Sequence, residues 1–192
     1  MPSRNRSKTG YQSILCAVDF SPQSSAALQM AALIARRCAG HLTAIYVEDP
    51  LLSTGAAAAG YDTSLIREST LRQLDRLMRR IARSTALAED CWTVETLPGR
   101  PAQTLAKVAK DLKADLVVMG TNGRRGPAKL VFGSVADGVL RRTSVPVLAV
   151  SRSKPGRKEL RIENRPILGA IDLGPNEAAD ARRQARAAAG FG

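Results

Sequence analysis

Residues 115–150 read DLVVMGTNGRRGPAKLVFGSVADGVLRRTSVPVLAV, and this stretch decides the fold. It begins and ends with short apolar runs, and a glycine-rich loop and a helix-like segment lie between them. Short apolar runs bounded by turn residues are typical of strands buried on both faces. Strands that alternate with helical segments are typical of a parallel sheet with crossover helices. The stretch therefore predicts an α/β fold.

Working outward from this stretch, the same alternation recurs towards the amino terminus. Ser21 followed by Pro22 is a helix-start signal, and Gly40 suits the end of that helix. Residues 48–61, which hold Pro, Gly and a run of Ala, are predicted to form a mobile loop. The predicted strands are 13–18, 42–47, 91–97, 115–119 and 146–150, and the predicted helices are about 22–38, 62–85, 101–113 and a short one from 134. Together they predict a doubly wound five-stranded parallel sheet of order 3-2-1-4-5, with helices on both faces.

The carboxyl-terminal segment repeats the first predicted strand and turn. ILCAVDFSP at 14–22 is matched by ILGAIDLGP at 167–175, at a constant offset of 153 residues. We infer an internal repeat that stops after an extra strand–helix fragment. The chain then divides into a basic tail (1–10), a complete domain (11–151), a charged linker (152–164) and a truncated repeat (165–192). Such a fragment is too short to enclose a core, so it must dock in cis, pair with another chain or stay loose.

The composition excludes several classes of protein. Apolar residues make up 44% of the chain, so the chain is not intrinsically disordered. Three widely spaced cysteines match neither a disulfide framework nor a CxxC metal motif, and Cys16 lies in an apolar run that predicts a buried thiol. Residues 1–10 have no apolar stretch behind them, and no run is long enough to cross a bilayer. These features predict a cytoplasmic protein with no membrane partner.

The formal net charge of +12 is weak evidence for nucleic-acid binding, because +3 lies in residues 1–10 and +4 in residues 151–192. The one long basic segment is the helix predicted at 62–85. A nucleic-acid face and a solvated outer face both fit it, and the solvated face is favoured because exposed charge runs usually mean no more than that. Its arginines are Arg67, Arg72, Arg76, Arg79, Arg80 and Arg83.

The glycine-rich loop has the spacing G-x2-G-x9-G-[ST], formed by Gly120, Gly123, Gly133 and Ser134. Glycines allow backbone N–H groups to approach an anion closely, and a helix that begins at Ser134 would add unpaired N–H groups. Arg124, Arg125 and Lys129 lie in the same loop and could contact distal phosphates. The spacing also fits a purely structural turn, because Ser134 and Asp137 resemble a capping box.

The predicted strand order favours the ligand-binding interpretation. In doubly wound sheets, ligands bind beyond the carboxyl ends of the strands where the strand order reverses, here between the first and fourth strands. Asp19 ends the first strand and Gly120 follows the fourth, so both face one crevice. Val47, at the end of the second strand, would supply an apolar wall beside them. An adenine base needs such an apolar slot with a polar edge.

With ILCAVDFS at the front and MGTNGRRGPAKLVFGSVADGVLRRTSVPVLAV at the back, residues 11–151 resemble the universal stress protein family. They resemble its nucleotide-binding branch, which carries this glycine spacing. The resemblance implies ATP as the ligand and a homodimer formed through the fifth strand, Pro146 to Val150. It also implies which residues surround the nucleotide. These are Ala17, Asp19 and Val47 at the adenine, Met119 and Gly120 at the ribose, and Gly123, Gly133, Ser134 and Val135 at the phosphates.

Catalytic chemistry has little support in the sequence. The single histidine, His41, starts the second predicted strand, where a surface or turn role is expected. Asp19 could hold Mg or Mn together with the phosphates, but one carboxylate is weak evidence for a metal site. The sequence thus predicts an ATP-binding sensor or regulator of the stress response. The alternatives are a protein- or nucleic-acid-interaction module whose loop is only structural, with nucleic acid disfavoured, and a slow ATPase.

Overall fold

The sheet is built around β1, Ser13–Ala17, whose three middle residues are buried. In the computed structural model, which describes residues 10–121, 133–151 and 167–172, β1 pairs in parallel with β2 on one side and with β4 on the other. The sheet has the order β3-β2-β1-β4-β5-β6, and every neighbouring pair is parallel. The predicted five-stranded order 3-2-1-4-5 is confirmed, and a sixth strand extends it. The other strands are β2 (His41–Glu48), β3 (Trp92–Pro98), β4 (Leu116–Gly120), β5 (Val147–Ser151) and β6 (Ile167–Asp172).

Helices cover both faces of the sheet, because successive side chains of a strand point to opposite faces. In β1, Ile14 and Cys16 join the core on one face, and Leu15 joins the core on the other. The first core includes residues of α1 (Pro22–Cys38) and α3 (Thr63–Thr85). The second includes residues of α4 (Pro101–Asp111) and α5 (Ser134–Leu140). The apolar runs of the sequence are therefore strands buried on both sides.

The segment predicted as a loop at 48–61 is instead largely helical. Helix α2 occupies Pro50–Ala58, directly after β2. The prediction was wrong because the alanines, which have the highest helix propensity, outweigh the turn tendency of Pro and Gly. Pro50 stands at the first position of the helix, where its missing N–H costs nothing.

The signals at the two ends of α1 differ in accuracy. Ser21 is the N-cap and its hydroxyl accepts a hydrogen bond from the Ser24 N–H, as predicted. At the other end the C-cap is Ala39, which has a left-handed φ of 50°. Gly40 follows it, and a Cβ there would lie 2.3 Å from the Tyr11 carbonyl oxygen. Gly40 is therefore required by close backbone packing and not by the cap itself.

The strand of the predicted strand–helix fragment is β6, which lies in the same chain alongside β5. Residues 167 and 169–172 pair with residues 147–151, with one irregularity between Val147 and Leu148. A strand has two hydrogen-bonding edges, and those of β5 face β4 and β6. Pairing of two β5 strands from two copies, as the dimer expectation requires, therefore needs β6 to leave. The tail, the linker and the helix predicted within the repeat lie outside the described residues, except for Gly10.

Candidate functional site

A cleft of about 660 Å³ opens at the carboxyl ends of β1, β2 and β4. This is the point at which the strand order reverses, and the volume is within the range of small-molecule sites. Residues of both core layers reach the cleft, together with the turns that leave the three strands. The cleft thus lies where the topology of the sheet predicts a ligand site.

The turn from β1 into α1 fixes Asp19 at the cleft. The Asp19 carboxylate oxygen Oδ1 accepts a hydrogen bond of 3.0 Å from the Ser21 N–H. The Asp19 N–H donates to the Ser24 hydroxyl at 3.3 Å, so the backbone of this residue is held as well. Between them, Phe20 has a left-handed φ of 61°, which is uncommon for a bulky side chain. One carboxylate oxygen of Asp19 is thus used by the turn, and Oδ2 accepts no hydrogen bond from the described residues.

Gly120 brings the end of β4 close to the first turn of α1. A Cβ at this position would lie 3.1 Å from the Gln23 Cβ and 3.2 Å from the backbone nitrogen of Ser24. Both distances are shorter than ordinary van der Waals contact. Close packing therefore favours glycine at residue 120, whether or not a ligand binds.

The start of α5 differs from the predicted capping box. The N-cap is Gly133, whose N–H donates to the Thr121 carbonyl at 2.6 Å, and Ser134 is the first helical residue. The Asp137 carboxylate accepts a hydrogen bond from the Arg141 guanidinium at 2.8 Å, which lowers the pKa of that carboxyl. The Ser134 side chain is exposed and makes no hydrogen bond with the described residues. Because no capping box forms, the Ser134 hydroxyl is free to contact a ligand.

The cleft brings together eight of the nine residues predicted to surround a nucleotide. They are Ala17, Asp19, Val47, Met119, Gly120, Gly133, Ser134 and Val135. The ninth, Gly123, lies outside the described residues, as do Arg124, Arg125 and Lys129.

Sequence reasoning missed several residues that line the cleft. Asp49 directly precedes α2 and Leu51 lies in its first turn, within the segment that was predicted as a loop. Pro101 and Leu105 come from the first turns of α4, on the face opposite α1. The predicted order could have found them, because the turn after β3 also lies at the carboxyl edge of the sheet.

His41 lies at the opposite edge of the sheet from the cleft. It is the first residue of β2, and its Nε2 is 3.2 Å from the Thr93 hydroxyl. The carboxylate of Asp115 lies at the same edge, where it accepts hydrogen bonds from the N–H groups of Gln12 and Ser13. These groups organise the start of β1 and do not line the cleft.

Cys16 is a residue of β1, and its thiol is fully buried in the core on one face of the sheet. Burial raises the pKa of this thiol well above the usual range. Within the described ranges, no group of three or more His, Cys, Asp or Glu side chains is placed to hold a metal ion. No helix of those ranges is long and apolar enough to cross a membrane.

The fold and the cleft define a class of protein: a doubly wound α/β domain with a ligand cleft where the strand order reverses. Residues 10–151 match the model of the universal stress protein family. The chain belongs to the universal stress protein family.

Relatives and solved structures agree with this assignment. The chain is 34% identical to universal stress protein MJ0531 of Methanocaldococcus jannaschii over 148 residues, which cover 75% of this chain and 84% of the relative. Among solved structures, universal stress protein UspA from Lactobacillus plantarum is 28% identical with a TM-score of 0.58, covering 73% of this chain and 97% of that one. A universal stress protein from Archaeoglobus fulgidus, solved in complex with dAMP, shares the fold at 22% identity with a TM-score of 0.52, covering 72% of this chain and 97% of that one.

Proposed function

We propose that this chain binds an adenine nucleotide, with ATP as the ligand, and acts as a sensor or regulator in the stress response. The observation that carries the proposal is the single cleft that contains Asp19, Val47, Gly133 and Ser134. The complex of the Archaeoglobus fulgidus protein with dAMP supports the choice of an adenine nucleotide.

The adenine end of the proposed site is formed by the ends of β1 and β2. Ala17, Ile45 and Val47 line the cleft with apolar surface on which a base can lie. Asp19 has one carboxylate oxygen that accepts no hydrogen bond from the described residues, and a carboxylate can only accept hydrogen bonds. It therefore suits the exocyclic amino group of adenine and disfavours guanine, which presents a carbonyl oxygen at that position.

The phosphate end is formed by Gly133 and the start of α5. Gly133 has no side chain to keep a phosphate away from the backbone, and the exposed Ser134 hydroxyl can donate a hydrogen bond. Gly123, Arg124, Arg125 and Lys129 complete this end on the strength of the sequence alone. In the proposed complex Mg or Mn would be carried mainly by the phosphates, because the described carboxylates that line the cleft are Asp19, which we assign to the adenine base, and Asp49.

Nucleotide binding would act on the protein through linkage. A ligand that binds only the folded state stabilises it by RT ln(1 + [L]/Kd), about 2.7 kcal/mol at a hundredfold excess over Kd. Changes in ATP concentration would then alter the stability of the domain, which is a simple way to sense the energy state of a cell.

The test is calorimetric titration of ATP and GTP into protein that has been verified free of copurified nucleotide. We expect saturable binding of ATP and weaker binding of GTP. Asp19→Ala should weaken ATP binding about tenfold to a hundredfold, the range for a lost hydrogen bond to a charged group. Glu95→Ala is the matched control, because Glu95 is exposed on β3 and does not line the cleft. No heat and no thermal shift at millimolar ATP would refute the proposal.

A further inference from the structure

The outward side of α3 carries a row of three arginines. Arg76, Arg80 and Arg83 are all exposed, and at 3.6 residues per turn they point within about 60° of one another. They lie opposite the residues by which α3 packs on the core. Those buried residues are Leu74, Met78, Ile81, Ala82 and Thr85. We call Arg76, Arg80 and Arg83 the outer ridge of α3.

The carboxylates of α3 are all engaged by other arginines of the same helix. Glu68 forms an ion pair with Arg72, and Asp75 forms one with Arg79 at 2.8 Å. Arg67 pairs with Glu48 of β2 at 3.3 Å. Arg67, Arg72 and Arg79 each have a local carboxylate partner, so the interpretation of α3 as a solvated outer face describes them well.

The outer ridge is different, because its three arginines have no ion-pair partner among the described residues. The neighbouring helix α1 has no acidic residue that could supply one, and its last turn adds Arg36 and Arg37. The Arg36 guanidinium donates to the Thr85 carbonyl at 3.0 Å, which holds a further cation at the end of α3. Among the described residues, the outer ridge thus carries three positive charges that no carboxylate neutralises.

We propose that the outer ridge of α3 binds the phosphate backbone of duplex nucleic acid. From Arg76 to Arg83 the helix rises about 10 Å, and each strand of a duplex carries one phosphate per 3.4 Å of axis. The ridge therefore faces about three phosphates. Guanidinium groups match phosphate oxygens with two parallel hydrogen bonds, which makes arginine better suited to this contact than lysine.

Two observations favour a duplex over other polyanions. Single-stranded nucleic acid is usually held by stacking on exposed aromatic side chains. Among the described residues the exposed aromatic side chain is Tyr61, which lies just before the start of α3 and therefore far from the outer ridge. A membrane surface would need apolar side chains beside the arginines, and the exposed apolar residues of α3 are in its first half, at Leu65, Ile66 and Leu71. Contacts to phosphates alone predict binding without sequence preference.

The test measures binding of the full chain to a fluorescein-labelled 20-base-pair DNA duplex by anisotropy, from about 50 to 200 mM salt. Two triple variants are compared, each of which removes three positive charges. One is Arg76→Gln/Arg80→Gln/Arg83→Gln, and the other is Lys107→Gln/Lys110→Gln/Lys113→Gln on and just after α4. Both sets are exposed, so thermal melting should show both variants folded.

We expect the arginine variant to lower the slope of log K against log salt by about 2 to 3, since each phosphate contact contributes about 0.9. Its affinity at 100 mM salt should fall about tenfold or more, while the lysine variant should change it less than about threefold. Equal losses in the two variants would show that net charge or the basic tails bind the DNA, and would overturn the proposal. Undetectable binding of the unmodified chain at 50 mM salt would also overturn it. Retained ATP binding in the arginine variant separates this surface from the cleft.

Discussion

Two glycines of the cleft have different physical roles. Gly120 is favoured by the packing of the fold, because a Cβ would press on Gln23 and on the backbone of Ser24. Gly133 has φ −61° and ψ 156°, values that residues with side chains also adopt. A side chain at residue 133 therefore strains no backbone torsion, and we expect it to obstruct the approach of a ligand.

These roles predict opposite results for two substitutions. Gly120→Ala should destabilise the domain by about 1–3 kcal/mol, the usual cost of overpacking. The melting temperature should then fall by about 2–4 °C per kcal/mol in a chain of this size. Gly133→Val should leave melting nearly unchanged and abolish ATP binding in the calorimeter. If Gly133→Val unfolds the domain, or binds ATP normally, our interpretation of residue 133 is wrong.

At the scale of elements, α3 ends in a conformation that its sequence does not favour. Its C-cap, Ala86, has φ 53°, in the left-handed region that suits glycine. A left-handed residue other than glycine costs about 1–2 kcal/mol, whereas glycine loses about 0.4–1 kcal/mol in chain entropy on folding. The balance favours glycine at the end of this helix.

Ala86→Gly is therefore expected to stabilise the protein by about 0.8 kcal/mol, the difference between the middle values of those two costs. The matched control is Ala88→Gly, since Ala88 is also exposed but has φ −66°. There glycine only adds entropy to the unfolded chain, so the control should be destabilised. Denaturant unfolding of both variants checks the prediction, which fails if the two changes have the same sign.

The sequence was sufficient to predict elements whose burial is uniform. Strands such as β1 and β4 are short apolar runs between turn residues, and the reversal rule then places Asp19 and Gly120 at one crevice. It was insufficient where composition permits two structures. Residues 50–58 contain Pro, Gly and several alanines, a composition that fits either a loop or a helix. Helix α2 was therefore not predicted, and neither was its cleft residue Leu51. The packing role of Gly120 depends on a tertiary contact with α1 that no local pattern reveals.

At the scale of the whole molecule, the pairing of β6 with β5 affects assembly. Unpaired strand edges promote association between chains, and β6 covers the edge of β5. The resemblance to the family implies a dimer through Pro146 to Val150. Pairing of β5 with β6 in one chain and pairing of β5 with β5 of a second copy both use the backbone groups on the same edge of β5. The two pairings therefore exclude one another.

We therefore expect weakening of β6 to raise the dimer fraction. Proline cannot donate to a ladder, and residues 169 and 170 both pair with β5. Gly169→Pro/Ala170→Pro should release β6 and shift the mass measured by light scattering towards a dimer at micromolar concentration. Arg157→Pro, within the linker at 152–164, is the control and should leave the mass unchanged. A full chain that is already dimeric, or a variant that stays monomeric, would contradict this prediction.

The similarity of β1 and β6 also has a consequence for how the chain folds. Because ILCAVD at 14–19 and ILGAID at 167–172 are so similar, we expect the second to compete with the first for the central position between β2 and β4 during folding. Glycine weakens a strand, so Gly169 in place of Cys16 makes the second copy the poorer competitor. Synthesis also delivers β1 first, together with the helix that packs on it. A Gly169→Cys change would remove this difference, and the chain would then carry a close decoy of its own central strand.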